Sequence, residues 1–223
     1  MTAPRVGAIL LVGGRSTRMG GGFKPLIEIG GTSLFARAVM TLADAGAEPI
    51  IAAGPELDEA APVHWVREDP PFAGPVAGIA AALAALDAGI SADGPAAIPE
   101  WMLVLAGDLP YAARVIERLL AVLTASAAGP DADADADADA GPDAHVFTAD
   151  GHPQWLAGVY RTDALRSALR ALAAGGTAYD DASCRSLFSG LDIAWLTDED
   201  GITADIDTPA DLVRIRAELE EES

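Results

Sequence analysis

Residues 11–24 read Leu-Val-Gly-Gly-Arg-Ser-Thr-Arg-Met-Gly-Gly-Gly-Phe-Lys. The stretch combines five glycines with Arg15, Arg18 and Lys24, in a chain that has only 14 basic residues. Glycine lets backbone N–H groups come close to a ligand and adopt positive φ. A concave run of N–H groups with cationic side chains holds phosphate. The predicted chemistry is a polyphosphate clamp. The turn is not the Gly-x-Gly-x-x-Gly that opens a dinucleotide-binding helix. Nor is it a P-loop, because Lys24 is followed by Pro25 and not by Ser or Thr.

A second group of residues could supply charge of the opposite sign. The apolar run Trp101–Ala106 ends at Gly107-Asp108, and Pro110 stops the chain from continuing as strand. A carboxylate at a rigid strand tip suits Mg²⁺, which takes one or two carboxylates together with phosphate oxygens. Glu68-Asp69 and Asp205-Ile206-Asp207 are further acid-bearing turns. His64, His145 and His152 match no zinc spacing. Cys184 has no histidine near it in sequence and reads as a reduced, half-buried thiol. No Ser–His or Cys–His nucleophile set emerges.

These residues need a scaffold. The pattern predicts strands at Val6–Val12, Pro49–Ala53, Val63–Arg67, Trp101–Ala106, His145–Asp150, Trp155–Arg161 and Asp192–Leu196, with short extended pieces at Pro25–Ile29 and Ile202–Ile206. Helices are expected at Ser33–Ala45 capped by Thr32, from Gly74-Pro75 to Ala88, at Ala112–Ala125, at Asp163–Ala174 capped by Thr162, and at Cys184–Ser189. A last helix starts at Thr208 with Pro209 in its first position. Strands apolar on both faces and alternating with helices imply a mostly parallel sheet covered on both sides. The expected fold class is a single three-layer α/β/α domain over residues 1–223. In such sheets the ligand lies beyond the carboxyl ends of the strands. Residues 126–143 carry an Asp-Ala repeat and are expected to be a disordered, solvated loop, since both residue types are poor strand formers.

The formal charge of −20 argues against nucleic acid or an anionic membrane as partner, because both require basic surface. It allows one small phosphorylated ligand, which needs only local positive charge. The N-terminus has no basic stretch followed by a long apolar run, and no apolar run is long enough to span a bilayer. With one cysteine, these features lead to a cytoplasmic expectation. The sequence carries no signal for an oligomeric state.

The chain resembles the molybdenum cofactor guanylyltransferase family, within the wider NTP-transferase superfamily. The resemblance rests on residues 11–26, Asp69, Gly74-Pro75-Val76-Ala77-Gly78, Ala106-Gly107-Asp108-Leu109-Pro110-Tyr111, Gln154–Arg161 and Asp205-Ile206-Asp207-Thr208-Pro209. It implies nucleotide contacts from Leu11, Val12, Gly13, Gly14, Arg15 and Ser16. Arg18 and Lys24 would bind the triphosphate. Asp69 would lie in the nucleotide or cofactor pocket, with Gly74, Pro75 and Gly78 in a close-approach turn beside the base. Asp108 would bind Mg²⁺, assisted by Asp207, with Asp205 the alternative second ligand. Lys24, Arg18 and Asp108 would carry catalysis.

The implied reaction is transfer of GMP from GTP to molybdopterin with release of pyrophosphate. Alternatives are cytidylyl transfer to molybdopterin, nucleotidyl transfer to another small phosphate, and a nucleotide-binding regulator without catalysis. Val12-Gly13-Gly14 and the Gly-Pro-Val-Ala-Gly turn resemble the guanylyl branch, since cytidylyl relatives usually carry Ala-Ala-Gly at the first position. Four positions depart from the family pattern: Phe23, Gly107, Trp155, and Asp205-x-Asp207 in place of Asn-x-Asn. They bear on the substrate more than on the superfamily.

Overall fold

Val6–Leu11 forms strand β1, an inner strand of the sheet, and its central residues are buried on both faces. The computed structural model describes residues 4–13, 23–90, 98–127, 141–206 and 208–221. After a 3-10 turn at Lys24–Leu26, Glu28–Ile29 (β2) pairs with Thr32–Ser33 (β3) in a small hairpin. Helix α1 covers Leu34–Asp44. Its cap is Ser33, not the expected Thr32: the Ser33 hydroxyl accepts from the Ala36 N–H at 3.1 Å. Thr32 is committed to the hairpin, opposite Ile29. Gly46 ends the helix as expected, with the Ala47 N–H reaching back to the Leu42 carbonyl at 2.9 Å.

Ile50–Ala53 (β4) and His64–Val66 (β5) follow, then helix α2 over Pro75–Asp87 and strand β6 over Trp101–Ala106. Helix α3 spans Ala112–Ala127. It runs two residues into the stretch expected as a disordered loop. Residues 128–140 of that stretch lie outside the described residues.

Ala144–Ala149 (β7) and His152–Arg161 (β8) form a hairpin through Asp150-Gly151. Strand β8 begins three residues before its expected start, because pairing with β7 carries Pro153 into the ladder. Helix α4 is Thr162–Ala174. Thr162 is not its cap but its first helical residue, and its hydroxyl donates to the Pro99 carbonyl at 2.5 Å. Cys184–Phe188 (α5), Ile193–Thr197 (β9) and Pro209–Glu221 (α6) complete the chain. The α6 cap is as expected: the Thr208 hydroxyl accepts from the Asp211 N–H at 3.2 Å, and Asp211 returns the bond to the Thr208 N–H at 2.9 Å.

The sheet order is β5-β4-β1-β6-β8-β7-β9. Every pair is parallel except those made by β8, which alone runs the other way. Along β6, Trp101, Leu103 and Leu105 face one core with α1, α3 and α6, while Met102 and Val104 face the other with α2, α4 and α5. Three layers result, as the continuous apolar strands imply. Each fully buried aliphatic side chain contributes about 1.5–3 kcal/mol.

The segment expected as extended at Ile202–Ile206 begins instead as a turn at Ile202-Thr203, held by Asp198, whose carboxylate accepts from the Ile202 N–H at 3.0 Å and the Thr203 N–H at 2.8 Å. Ile202 and Ile206 plug the core, each 2% exposed.

Candidate functional site

Three parallel strands end level with one another. Leu11 of β1 is in register with Ala53 of β4 on one side and Ala106 of β6 on the other. These three residues floor a cavity of about 560 Å³, walled by Gly13, Glu68, Phe72, Gly74, Pro75, Gly78, Asp108 and Leu156.

Close backbone approach shapes this cavity. A Cβ at Gly107 would stand 2.7 Å from Val12 Cγ1 and 3.2 Å from the Leu11 carbonyl, whose oxygen accepts the Gly107 N–H at 2.9 Å. A side chain there would displace the Val12 side chain and crowd the Leu11 carbonyl. Gly78 does the same for α2: a Cβ would lie 2.9 Å from Leu11 Cδ2. Gly74 caps α2 at φ 94°, a region other residues enter only with strain. Pro75 then starts the helix with its N-terminus at the cavity wall. The first-turn N–H groups and the helix dipole favour negative charge there.

Beyond β5 the carboxylate in the wall belongs to Glu68, which is 7% exposed. Its Oε1 accepts from the Phe72 N–H at 2.8 Å, while Oε2 is buried without a hydrogen-bond partner. Phe72 holds φ at 65°, one of two non-glycine residues with positive φ among those described. The Arg67 guanidinium lies 5.6 Å from its ring centroid. Asp69, the expected pocket residue, is exposed and is not among the described wall residues. The sequence pointed to the Glu68-Asp69 turn, but only the direction in which the chain leaves β5 decides which acid turns inward.

The Asp108 turn is braced from the outside. Tyr111 is 5% exposed, and its hydroxyl donates to the Glu218 carboxylate of α6. Burial, then Glu218, pushes the Tyr111 phenol up. The bond from Tyr111 in turn holds Glu218 below the usual carboxylate range, outweighing its desolvation. Asp198 holds the turn at Ile202-Thr203. Burial works to raise its carboxyl, but bonds from Thr203, Ile202 and Gly201 prevail and lower it.

The structure therefore brings Leu11, Gly13, Gly74, Pro75, Gly78 and Asp108 to one cavity. Val12 is 1% exposed and packs into the core behind it. Lys24 begins the 3-10 turn and is partly buried. Gly14, Arg15, Ser16, Arg18 and Asp207 lie outside the described residues. Among the described residues no three acidic, histidine or cysteine groups gather as a metal cluster. Asp108 still fits Mg²⁺, which needs one or two carboxylates when phosphate oxygens complete its shell.

Other features carry none of the expected site residues. A groove of about 700 Å³ beside α4 and α5 includes Arg161, already bound to Glu100 and the Pro142 carbonyl and stacked 4.5 Å from the Trp101 ring centroid. From β8 the cavity wall takes Leu156, whereas Trp155 packs on Phe188 and Trp195 at 5.5 and 5.6 Å. Burial pushes the Cys184 thiol up to about 11, which disfavours the thiolate at neutral pH. His145 is buried against Trp101, and desolvation, then Arg161, lowers it. Among the described residues no helix is long and apolar enough to cross a membrane.

Residues 8–192 match the family described as the MobA-like NTP transferase domain. The chain is 42% identical over 117 residues to a molybdenum cofactor guanylyltransferase of Rhodopseudomonas palustris (strain BisB5), covering 48% of this chain and 50% of that one. It is 38% identical over 134 residues to a molybdenum cofactor guanylyltransferase of Bradyrhizobium sp. (strain ORS 278), covering 58% of each. The match thus spans about half the length of these curated relatives. Among solved structures, a nucleotidyl transferase from Methanothermobacter thermautotroptrophicus superposes with a TM-score of 0.63 at 18% identity, over 98% of this chain and 99% of that one. The 2-C-methyl-D-erythritol 4-phosphate cytidylyltransferase from Thermus thermophilus gives 0.61 at 17% identity, over 97% and 99%. At such identities these two likenesses speak to the fold alone.

Proposed function

The chain belongs to the MobA-like NTP transferase family, and we propose that it is a Mg²⁺-dependent guanylyltransferase that joins GMP from GTP to molybdopterin. The observation that carries this reading is the convergence of Leu11, Gly13, Gly74, Pro75, Gly78 and Asp108 on one cavity at the carboxyl ends of the strands. They come from three separate motifs of the sequence. The names of the two relatives support the choice of guanylyl transfer. Residues 1–223 form one nucleotidyltransferase domain in this reading. Its place is the cytoplasm, where a single reduced cysteine is ordinary.

Charge drives the mechanism. The described wall holds two carboxylates, Glu68 and Asp108, and no basic side chain. A triphosphate therefore needs cations from elsewhere. Arg15, Arg18 and Lys24 supply them in this reading, and Asp108 and Asp207 would hold the Mg²⁺. When bound, the ion neutralises phosphate charge and orients the leaving pyrophosphate.

The acceptor phosphate oxygen attacks the α-phosphorus in line. The bond from that phosphorus to the bridging oxygen breaks, and pyrophosphate carries away the electron pair. A phosphate monoester has its second pKa near ~6 and is largely ionised at neutral pH, so no general base is required. What this chain contributes is positioning and charge stabilisation.

The test is pyrophosphate release with GTP, CTP, ATP and UTP, each with and without molybdopterin, in Mg²⁺. Release that requires both GTP and molybdopterin is expected. No release with any pair overturns the reading, and release with CTP alone moves the chain to cytidylyl transfer.

A further inference from the structure

Strand β8 breaks its ladder at the cavity. Val146 and Phe147 are neighbours on β7, yet they stand opposite Gly158 and Gln154. Trp155, Leu156 and Ala157 therefore have no partner on β7, and the pairing with β6 ends at Ala157, opposite Leu105. A bulge of this kind re-aims side chains. Leu156 enters the cavity wall, while Trp155 packs on Phe188 and Trp195.

One bond ties the bulge down. The Tyr160 hydroxyl donates to the Trp155 carbonyl at 2.8 Å, five residues back along the same strand. At about 3.3 Å per residue a regular strand would put that carbonyl roughly 16 Å away, beyond a tyrosine's reach. The bond and the bulge therefore require each other. Tyr160 is 0% exposed. Burial, then the Cys184 thiol, pushes its phenol well up, so it keeps the proton it donates. Gly158 leaves room for the ring: a Cβ there would stand 2.9 Å from Tyr160 Cε2 and 3.1 Å from Val146 Cγ2. Phe188 backs both ends of the bond, with its ring centroid 4.5 Å from that of Tyr160 and 5.5 Å from that of Trp155.

We propose that Tyr160 is a positioning residue for the transfer reaction: through the Trp155 carbonyl it fixes the β8 bulge, and the bulge sets where Leu156 stands in the cavity. The proposal rests on the transferase reading and goes beyond it by giving this buried phenol a task. Leu156 is apolar and acts on a substrate only by packing, which serves ground state and transition state alike. Displacing it weakens binding and spares the chemical step. A residue that served stability alone would do the reverse, since fewer folded molecules lower the apparent kcat and leave KM unchanged.

Steady-state pyrophosphate release by the full chain in Mg²⁺, with GTP and molybdopterin varied in turn, tests it. Tyr160→Phe keeps the ring and removes the bond. The KM for at least one substrate should rise about 3–10-fold, the worth of one neutral hydrogen bond, with kcat within about 2-fold of native. Leu156→Ala should raise the same KM. The double variant should fall short of the product of the two single effects, because both act through one contact. An unchanged KM in Tyr160→Phe, or a loss confined to kcat, overturns the proposal, and so do effects that multiply in the double variant. Should Tyr160→Phe not fold, Phe188→Leu removes the ring that backs the bond and carries the same expectation and the same refutation. A native protein that releases no pyrophosphate overturns the transferase reading, and the proposal falls with it.

Discussion

The Tyr111 hydroxyl donates to the Glu218 carboxylate, tying the turn that follows Asp108 to the C-terminal helix. Arg214 joins the same carboxylate at 3.1 Å, and the Arg114 guanidinium lies 5.4 Å from the Tyr111 ring centroid. Residues far apart in sequence thereby set where the proposed metal ligand stands. Tyr111→Phe keeps the ring and removes the bond, so the melting temperature should fall by roughly 2–4 °C. Glu218 is held low in the folded state, so its contribution is present above the unfolded value of about 4.3 and is lost as pH falls through the lower folded value. Tyr111 is held high, so its share is present below about 10 and is lost as pH rises further. Melting curves of both proteins should therefore differ at neutral pH and converge at strongly acid pH. A gap that persists there would place the effect in packing instead.

Asp108→Asn should keep the fold and cost turnover at least about 100-fold, since a neutral amide cannot replace a carboxylate at a cation. Lys24→Ala should also cut the rate by about two orders of magnitude or more if its charge acts mainly in the transition state. Pyrophosphate release under saturating nucleotide, paired with a thermal melt, separates these losses from misfolding. An unchanged rate for either variant would remove that residue from the mechanism.

Gly107→Ala adds a methyl group where Val12 Cγ1 would stand at 2.7 Å. Overpacking of this kind costs about 1–3 kcal/mol. The urea midpoint should drop, and activity with it, because the floor of the cavity and the Asp108 turn share this contact. Full activity with native stability would show that the two strand ends can part without consequence.

Asp198→Ala removes the acceptor for the Ile202 and Thr203 N–H groups and for the Thr203 hydroxyl, 2.6 Å away. Because Asp198 is partly exposed, the loss should be modest, about 2–5 °C in melting temperature. Its carboxyl is lowered in the folded state, so the native advantage is present above about 3.9 and disappears as pH falls below it. Hydrogen exchange at Ile202 and Thr203 should quicken in the variant; protection at the native level would refute the role given to Asp198.

Much of the frame was legible in the sequence. Leu103 and Leu105 face one core while Met102 and Val104 face the other. Such a strand must be apolar throughout, and a continuous apolar run is a local property that composition reveals. Thr208-Pro209 was legible as a helix start for the same reason, since a cap acts on N–H groups within three residues of itself.

Other features depend on partners distant in sequence, and local reading missed them. Thr32 and Thr162 both have the chemistry of a cap, yet Thr32 is taken by the ladder with Ile29 and Thr162 by the carbonyl of Pro99. Ile202–Ile206 alternates like a strand but begins as a turn around Asp198. At the site, the sequence by itself determined that a glycine-rich cationic stretch and a strand-tip aspartate exist, because residue type alone confers those chemistries. Only the tertiary structure decided that Leu11, Ala53 and Ala106 end level, that Gly107 and Gly78 let the backbones close on them, and that Glu68 and not Asp69 turns inward. Register between strands and the direction of a chain leaving a sheet are set by contacts between segments, and no single segment encodes them.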